Sequence, residues 1–180
     1  PEGAAGGSEA NGGQPADTTP GPAGDRPDAS NADADADAAP EETASAAAVP
    51  LRSDQPSPAE IQTLLETWLA AKATVLAGDE PTQTLEDLAQ DGQLRKLQAE
   101  RRSDQARRHT QRIDTSVENL RLEASTPERI AAVVSIRYRG ERLDEQGKAV
   151  GQASSLTLRN RYVFSREGGT WRLVSFERVK

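Results

Sequence analysis

The chain of 180 residues holds 22 Lys or Arg against 29 Asp or Glu, a formal net charge of −7, and it has neither cysteine nor methionine. Without cysteine there is no disulfide framework, no thiol chemistry and no cysteine-based zinc site. No apolar run approaches the roughly 20 residues of a membrane span, and no signal peptide is visible. The absence of methionine, position 1 included, reads as a processed product or a piece of something longer.

The charge is divided unevenly. Residues 1–55 contain eleven acidic and two basic side chains, a net of −9, which leaves eighteen acidic and twenty basic in residues 56–180, a net of +2. The acidic balance therefore belongs to the first segment, which is Ala, Gly, Pro, Asp, Ser and Thr with almost no large apolar side chains. Such a composition cannot offset an ordering cost of roughly 1–2 kcal/mol per residue, so residues 1–55 are expected to be a disordered acidic linker. Residues 56–180 suffice for one ordinary core, and one domain is expected there.

That domain opens on a helix signal. Ser57-Pro58-Ala59-Glu60 combines an N-cap serine, a proline in the first turn and a glutamate three residues after the cap. Ile61, Leu64, Leu65, Trp68, Lys72, Val75 and Leu76 follow at helical spacing, and Gly78 is a natural stop. Thr82 or Thr84 starts a short second helix that Asp91-Gly92 is expected to end. Gln93 to about Arg108 reads as a third helix with a thin apolar stripe, Leu94 and Leu97, amid an excess of arginine. Residues 112–124 form a first strand with an irregularity near Asn119.

Three more strands follow. In IAAVVSIRYRGER, Val134, Ile136 and Tyr138 share one parity and Ser135, Arg137 and Arg139 the other. In SSLTLRNRYVFSRE, Leu156, Leu158, Tyr162 and Phe164 oppose Thr157, Arg159 and Arg161. A period of two with an apolar and a charged side describes half-buried antiparallel strands. Gly140 to Gln152 is expected to be a mobile connection, and Gly168-Gly169 supply a tight hairpin before TWRLVSFERVK. Helices followed by consecutive strands indicate an α+β fold: three helices, then a four-stranded antiparallel meander curling cone-like around the first helix.

Chemistry-bearing motifs are scarce. His109 is the single histidine, set among arginines at a helix end, and no further ligands stand at metal-site spacing, so neither metal nor cofactor is expected. There is no phosphate loop, no nucleophile elbow, and no Asp or Glu on the inward parity beside Tyr138 and Tyr162. An enzyme is not expected. A competing reading, a small-molecule binder or enzyme with a pocket between Trp68, Tyr138 and Tyr162, needs an inward polar group that the strands lack. The outward parity is richer. Arg137, Arg139, Arg159 and Arg161, with Arg172 and Arg178, could present guanidinium groups to an acidic peptide or a terminal carboxylate, with Glu118, Glu123, Glu141 and Glu177 as balancing charges. Those four arginines and Tyr162 are the candidate partner-binding residues. Nucleic acid is disfavoured, because no aromatic residues lie among the outward arginines.

TWLAAKATVLAG, the short leucine-containing helix after it, and RNRYVFSREGGTWRLVSFERV together resemble a known family. It is the intermembrane-space domain of the plastid-division protein "accumulation and replication of chloroplasts" and its cyanobacterial counterpart ZipN. The matching positions are Trp68 and Lys72 in the first helix and Tyr162, Gly168, Gly169, Trp171, Leu173 and Val174 in the last hairpin. A tryptophan after a glycine hairpin also resembles the close of nuclear-transport-factor-two-like cones. The resemblance spans Pro58 to Lys180. It implies a non-enzymatic docking module on the periplasmic or intermembrane-space side of a membrane-anchored protein, capturing the tail of a division protein. Residues 1–55 would then be the linker, and contact with the membrane would come only through a segment outside this chain.

Overall fold

The computed structural model describes residues 50–179. Expectations for residues 1–49, the disordered acidic linker included, lie outside the described residues. The element order is α1 (Pro58–Ala77), α2 (Leu85–Leu88), α3 (Asp91–Ala106), β1 (Thr110–Ser125), β2 (Arg129–Leu143), β3 (Ser154–Glu167) and β4 (Thr170–Arg178). The strands pair antiparallel in the order β1-β2-β3-β4, an open meander in which each strand neighbours the next in sequence. The fold is α+β, helices first and sheet second, as the order of hydrophobic periods implies.

Helix α1 begins and ends where the sequence signals it. Ser57 Oγ accepts the Glu60 N–H at 3.2 Å, and Glu60 Oε2 accepts the Ser57 N–H at 2.8 Å, a reciprocal capping box. Gly78 closes the helix at φ 102°, a conformation that glycine adopts without a Cβ clash. Ile61, Leu64, Leu65, Trp68, Ala71 and Leu76 form its buried stripe. They pack against Ile130, Ala132, Val134 and Ile136 of β2, Tyr162 and Phe164 of β3, and Trp171 and Leu173 of β4.

The second helix is shorter than expected. It breaks at Ala89, not at Asp91-Gly92, because Ala89 is extended and bridges Leu173 in parallel while the Gln90 N–H donates to the Leu173 carbonyl at 2.9 Å. Asp91 and Gly92 instead open α3, where the aspartate sits in the first turn, favourably placed for the helix dipole. The expected irregularity in β1 is present as a register shift between Val117 and Asn119, and a second lies between Leu122 and Ala124. Each inserts a residue and bends the strand.

Two further segments differ from expectation. Gly140 does not begin a mobile loop: β2 runs through it to Leu143, and the connection beyond is internally bonded. Asp144 Oδ1 accepts the N–H groups of Gln146 and Lys148, both at 2.9 Å, and the Val150 N–H donates to the Arg142 carbonyl at 2.8 Å. Gly140 leaves room for the Tyr138 ring to lie over the strand; an added Cβ would stand 2.3 Å from the Tyr138 hydroxyl, so the ring would have to move. At the other end, residues 51–54 lie against the β3–β4 hairpin, ahead of the expected start of the domain. The Trp171 N–H donates to the Leu51 carbonyl at 2.9 Å, the Trp171 indole N–H to the Ser53 carbonyl at 2.8 Å, and Asp54 pairs with Arg166. Leu51 and Gln90 thus satisfy backbone groups on the free edge of β4.

Candidate functional site

The sheet has two unlike faces, and the candidate residues divide between them. Arg137, Arg139, Arg159 and Arg161 all point away from the helices. In register, Arg137 opposes Thr157, Arg139 opposes Ser155, Arg159 opposes Ser135 and Arg161 opposes Val133, which sets Arg137 and Arg159 on a diagonal. Much of this face is already neutralised. Arg137 pairs with Glu118, Arg161 with Glu123 at 2.7 Å and Glu177 at 3.7 Å, and Arg112 with Glu141 at 3.2 Å. The bond to Glu123 raises the Arg161 pKa, fixing its charge more firmly. Arg139 and Arg159 make no ion pair among the described residues. Arg172 lies elsewhere, with Arg95 and Glu167 around the start of α3.

Beneath the arginines, Ala131, Val133 and Val163 are buried although they lie on the outer parity, outside the main core. Val133 stands between Arg121 and Arg161 in register, so aliphatic arginine stems flank it. Arg161, 38% exposed, is therefore part of a small structured layer and not a free surface group.

Tyr162 faces the other way. At 3% exposure it belongs to the concave, helix-covered side, where a cavity of about 110 Å³ opens between α1 and the sheet. Trp68 and Leu69 of α1, Ile136 and Tyr138 of β2, Leu158 of β3 and Phe176 of β4 supply its apolar wall. Phe176 is 43% exposed at the rim, its ring stacked on Tyr162 with centroids 5.5 Å apart and planes inclined by 29°. Leu156, on the same face and opposite Tyr138, is also exposed, so the apolar surface continues past the helices.

The cavity wall is not purely apolar, and here the strand-only reading was incomplete. Asn160 shares the parity of Tyr162 and donates to its hydroxyl at 3.2 Å. Glu100 comes from α3 and Lys72 from α1, joined at 3.3 Å. Asn160 could have been found from strand parity alone. Glu100 could not, since it reaches the cavity from a helix whose docking angle the sequence does not encode locally. Burial raises the Tyr162 pKa, partly offset by the Asn160 bond; burial, reinforced by the Glu100 charge, raises that of Tyr138. Both phenols are therefore neutral donors across the physiological range.

From Glu100 a polar chain runs behind the cavity. The Gln111 amide donates to Glu100 Oε1 at 3.1 Å and to Asp104 Oδ2 at 2.6 Å, and Arg142 Nε approaches Asp104 Oδ1 at 3.7 Å. Asp104 is 1% exposed, so these partners are what make its burial tolerable. The chain ties α3 to β1 and β2 and holds Glu100 beside Lys72. His109 stands outside the cavity, between α3 and β1. Among the described residues no group of three or more potential metal ligands comes together, and no helix is long and apolar enough to cross a membrane.

Comparison with known proteins adds to this geometry. The family described as "ARC6-like, IMS domain" matches residues 61–174. Among solved structures, the intermembrane space region of the chloroplast protein ARC6 superposes with a TM-score of 0.52 at 11% identity, over 69% of this chain and 98% of that one. A second, the putative calcium/calmodulin dependent protein kinase II association domain from Xanthomonas campestris, superposes with a TM-score of 0.41 at 14% identity, over 72% of this chain and 95% of that one. No curated protein matches. The family match runs from within α1 to the middle of β4, taking in the four outward arginines and the cavity wall except Phe176, and the chain belongs to the ARC6-like IMS domain family.

Proposed function

We propose that this domain is a non-enzymatic docking module of a division-related, membrane-associated protein, and that its concave cavity receives an apolar side chain from a segment of a protein partner. The observation that carries the reading is the cavity itself. At about 110 Å³ it falls in the size class that accepts one small aromatic ring. Sites that engulf cofactors or drug-sized ligands run to about 300–1,000 Å³. The exposed rim, Phe176 and Leu156, offers the amphipathic edge that an incoming segment needs. Lys72 and Asn160 in the wall supply donors for a carboxylate or a main-chain carbonyl.

The competing enzymatic reading asks for a nucleophile or base poised in the pocket. The wall offers two neutral phenols, the Thr115 hydroxyl with no base beside it except the Glu100 carboxylate already held by Lys72, and one amide. On the outer face, Arg139 and Arg159 remain available for acidic groups of the same partner, while Arg137 and Arg161 would first have to leave their glutamates. Belonging to a family of division-related domains favours docking over catalysis.

Resonance mapping tests the choice of surface. A titration with short peptides ending in Phe, and with matched peptides ending in Asp, is expected to move the signals of Tyr138, Asn160, Tyr162 and Phe176 for the first set alone. Shifts confined to Arg137, Arg139, Arg159 and Arg161 would transfer the site to the outer face.

A further inference from the structure

Helix α3 holds a basic surface that the cavity does not use. Of its acids beyond the first turn, Asp104 is buried and Glu100 is part-exposed, and they are engaged by Lys72, Gln111 and Arg142. Arg101 is occupied as well, donating to the His109 carbonyl at 3.4 Å, and Arg108 pairs with Glu145 at 3.5 Å. Arg95, Lys96, Arg102 and Arg107 are left exposed, and none of them forms an ion pair among the described residues. On the sheet Arg112, Arg137 and Arg161 each have a glutamate, and only Arg139 and Arg159 of the candidate residues are left without an ion pair among the described residues.

The spacing makes this a line of charge. Arg95, Ala99, Arg102 and Ala106 recur at helical intervals along one exposed face, with Lys96, Ser103 and Arg107 beside them. Sixteen residues give the helix a length of about 24 Å. We propose that this face of α3 docks on an anionic phospholipid surface. A protein partner is usually held by large apolar or aromatic side chains seated in pockets. This face carries none of those side chains: Arg95 borders a polar recess with Glu86, Asp91 and Glu167 at the start of the helix, and beyond it Ala99 and Ala106 alternate with Arg102 along the row, which lets a flat surface approach. A plane of phosphates requires charge density alone, and guanidinium groups bind phosphate oxygens bidentately. The proposal is independent of the cavity: Phe176→Asp should leave it untouched.

Sedimentation of the full chain with vesicles of phosphatidylglycerol, and separately of phosphatidylcholine, at low salt tests it. The chain should partition onto phosphatidylglycerol, not onto phosphatidylcholine, and should be released as salt rises and screens the charges. Each near-surface basic residue contributes about fivefold, so Arg95→Gln, Arg102→Gln and Arg107→Gln together should weaken partition on the order of a hundredfold. These positions are exposed, and an unchanged melting temperature will show that the fold is kept. Arg139→Gln with Arg159→Gln, removing charge from the sheet instead, should change partition only a few-fold. Equal partition onto both lipids, or none onto either, would overturn the proposal. So would undiminished binding by the triple variant, or retention on immobilised poly-glutamate without binding to vesicles, which would make the face a dock for acidic protein.

Discussion

At the scale of single residues, the structure separates side chains that look alike in sequence. Arg159 and Arg161 are both outward arginines of β3, but only Arg161 is held between two glutamates and flanks a buried valine. Arg161→Glu would therefore set three carboxylates together and should lower the urea midpoint, whereas Arg159→Glu should stay within about 0.5 kcal/mol of the parent. Equal midpoints for the two would remove the structural role assigned to Arg161. Trp171 is a second case. It is fully buried, and its indole N–H holds the Ser53 carbonyl. Trp171→Phe keeps the apolar bulk but orphans that carbonyl, at a cost of about 1–3 kcal/mol. Protease cleavage between Leu51 and Asp54 should accelerate in the variant; an unchanged cleavage rate would mean that the segment is held by other means. Gly140→Ala should drive the Tyr138 ring off its strand and alter the cavity wall, visible as displaced Tyr138 resonances at a stability cost of roughly 1–3 kcal/mol.

At the scale of elements, what was legible followed from local codes. The capping box, the stripe from Ile61 to Leu76 and the Gly78 stop define α1 from sequence alone, and Ser57→Ala should cost about 1 kcal/mol. The Glu60 pKa is lowered, first by its bond from the Ser57 backbone. A depressed carboxylate stabilises the fold at pH above its unfolded value and stops doing so as the pH falls through the folded one. The stability gap between parent and Glu60→Gln should thus narrow in acid; a gap constant down to low pH would contradict the part assigned to the ionised carboxylate. The strand parities were legible for the same reason, since alternation is local. What escaped was set by distant partners. The break at Ala89 depends on Leu173, and the ordered turn at Asp144 on hydrogen bonds that glycine content does not reveal. Helix α3 shows only Leu94 and Leu97 as an apolar stripe in sequence. Gln93, bonded to the Val174 carbonyl at 3.0 Å, and Asp104 also bury themselves, and polar residues with remote partners leave no hydrophobic period.

At the scale of the molecule, helices and sheet enclose one core on one side and leave two surfaces of different character. The helix-covered side ends in a small aromatic cavity with an exposed Phe176 rim; on the outer side Arg112, Arg137 and Arg161 are answered by glutamates and Arg139 and Arg159 are not, among the described residues. The candidate residues drawn from sequence combine Tyr162, on the inward parity of β3, with Arg137 and Arg139 of β2 and Arg159 and Arg161 of β3, on the outward parity. The pleat sends them to opposite faces. A single partner engaging both has to wrap an edge of the open sheet, at β4 where Phe176 stands or at β1, whose Ile113 and Thr115 also line the cavity. The most direct test of the docking account is selection of displayed peptides with free C termini against the full chain, followed by rebinding to Phe176→Asp. The account predicts enriched peptides that share an aromatic or large aliphatic residue and bind the variant at least about tenfold more weakly, the loss of a well-buried apolar contact. Peptides that bind parent and variant alike, or that share only acidic residues, would contradict it.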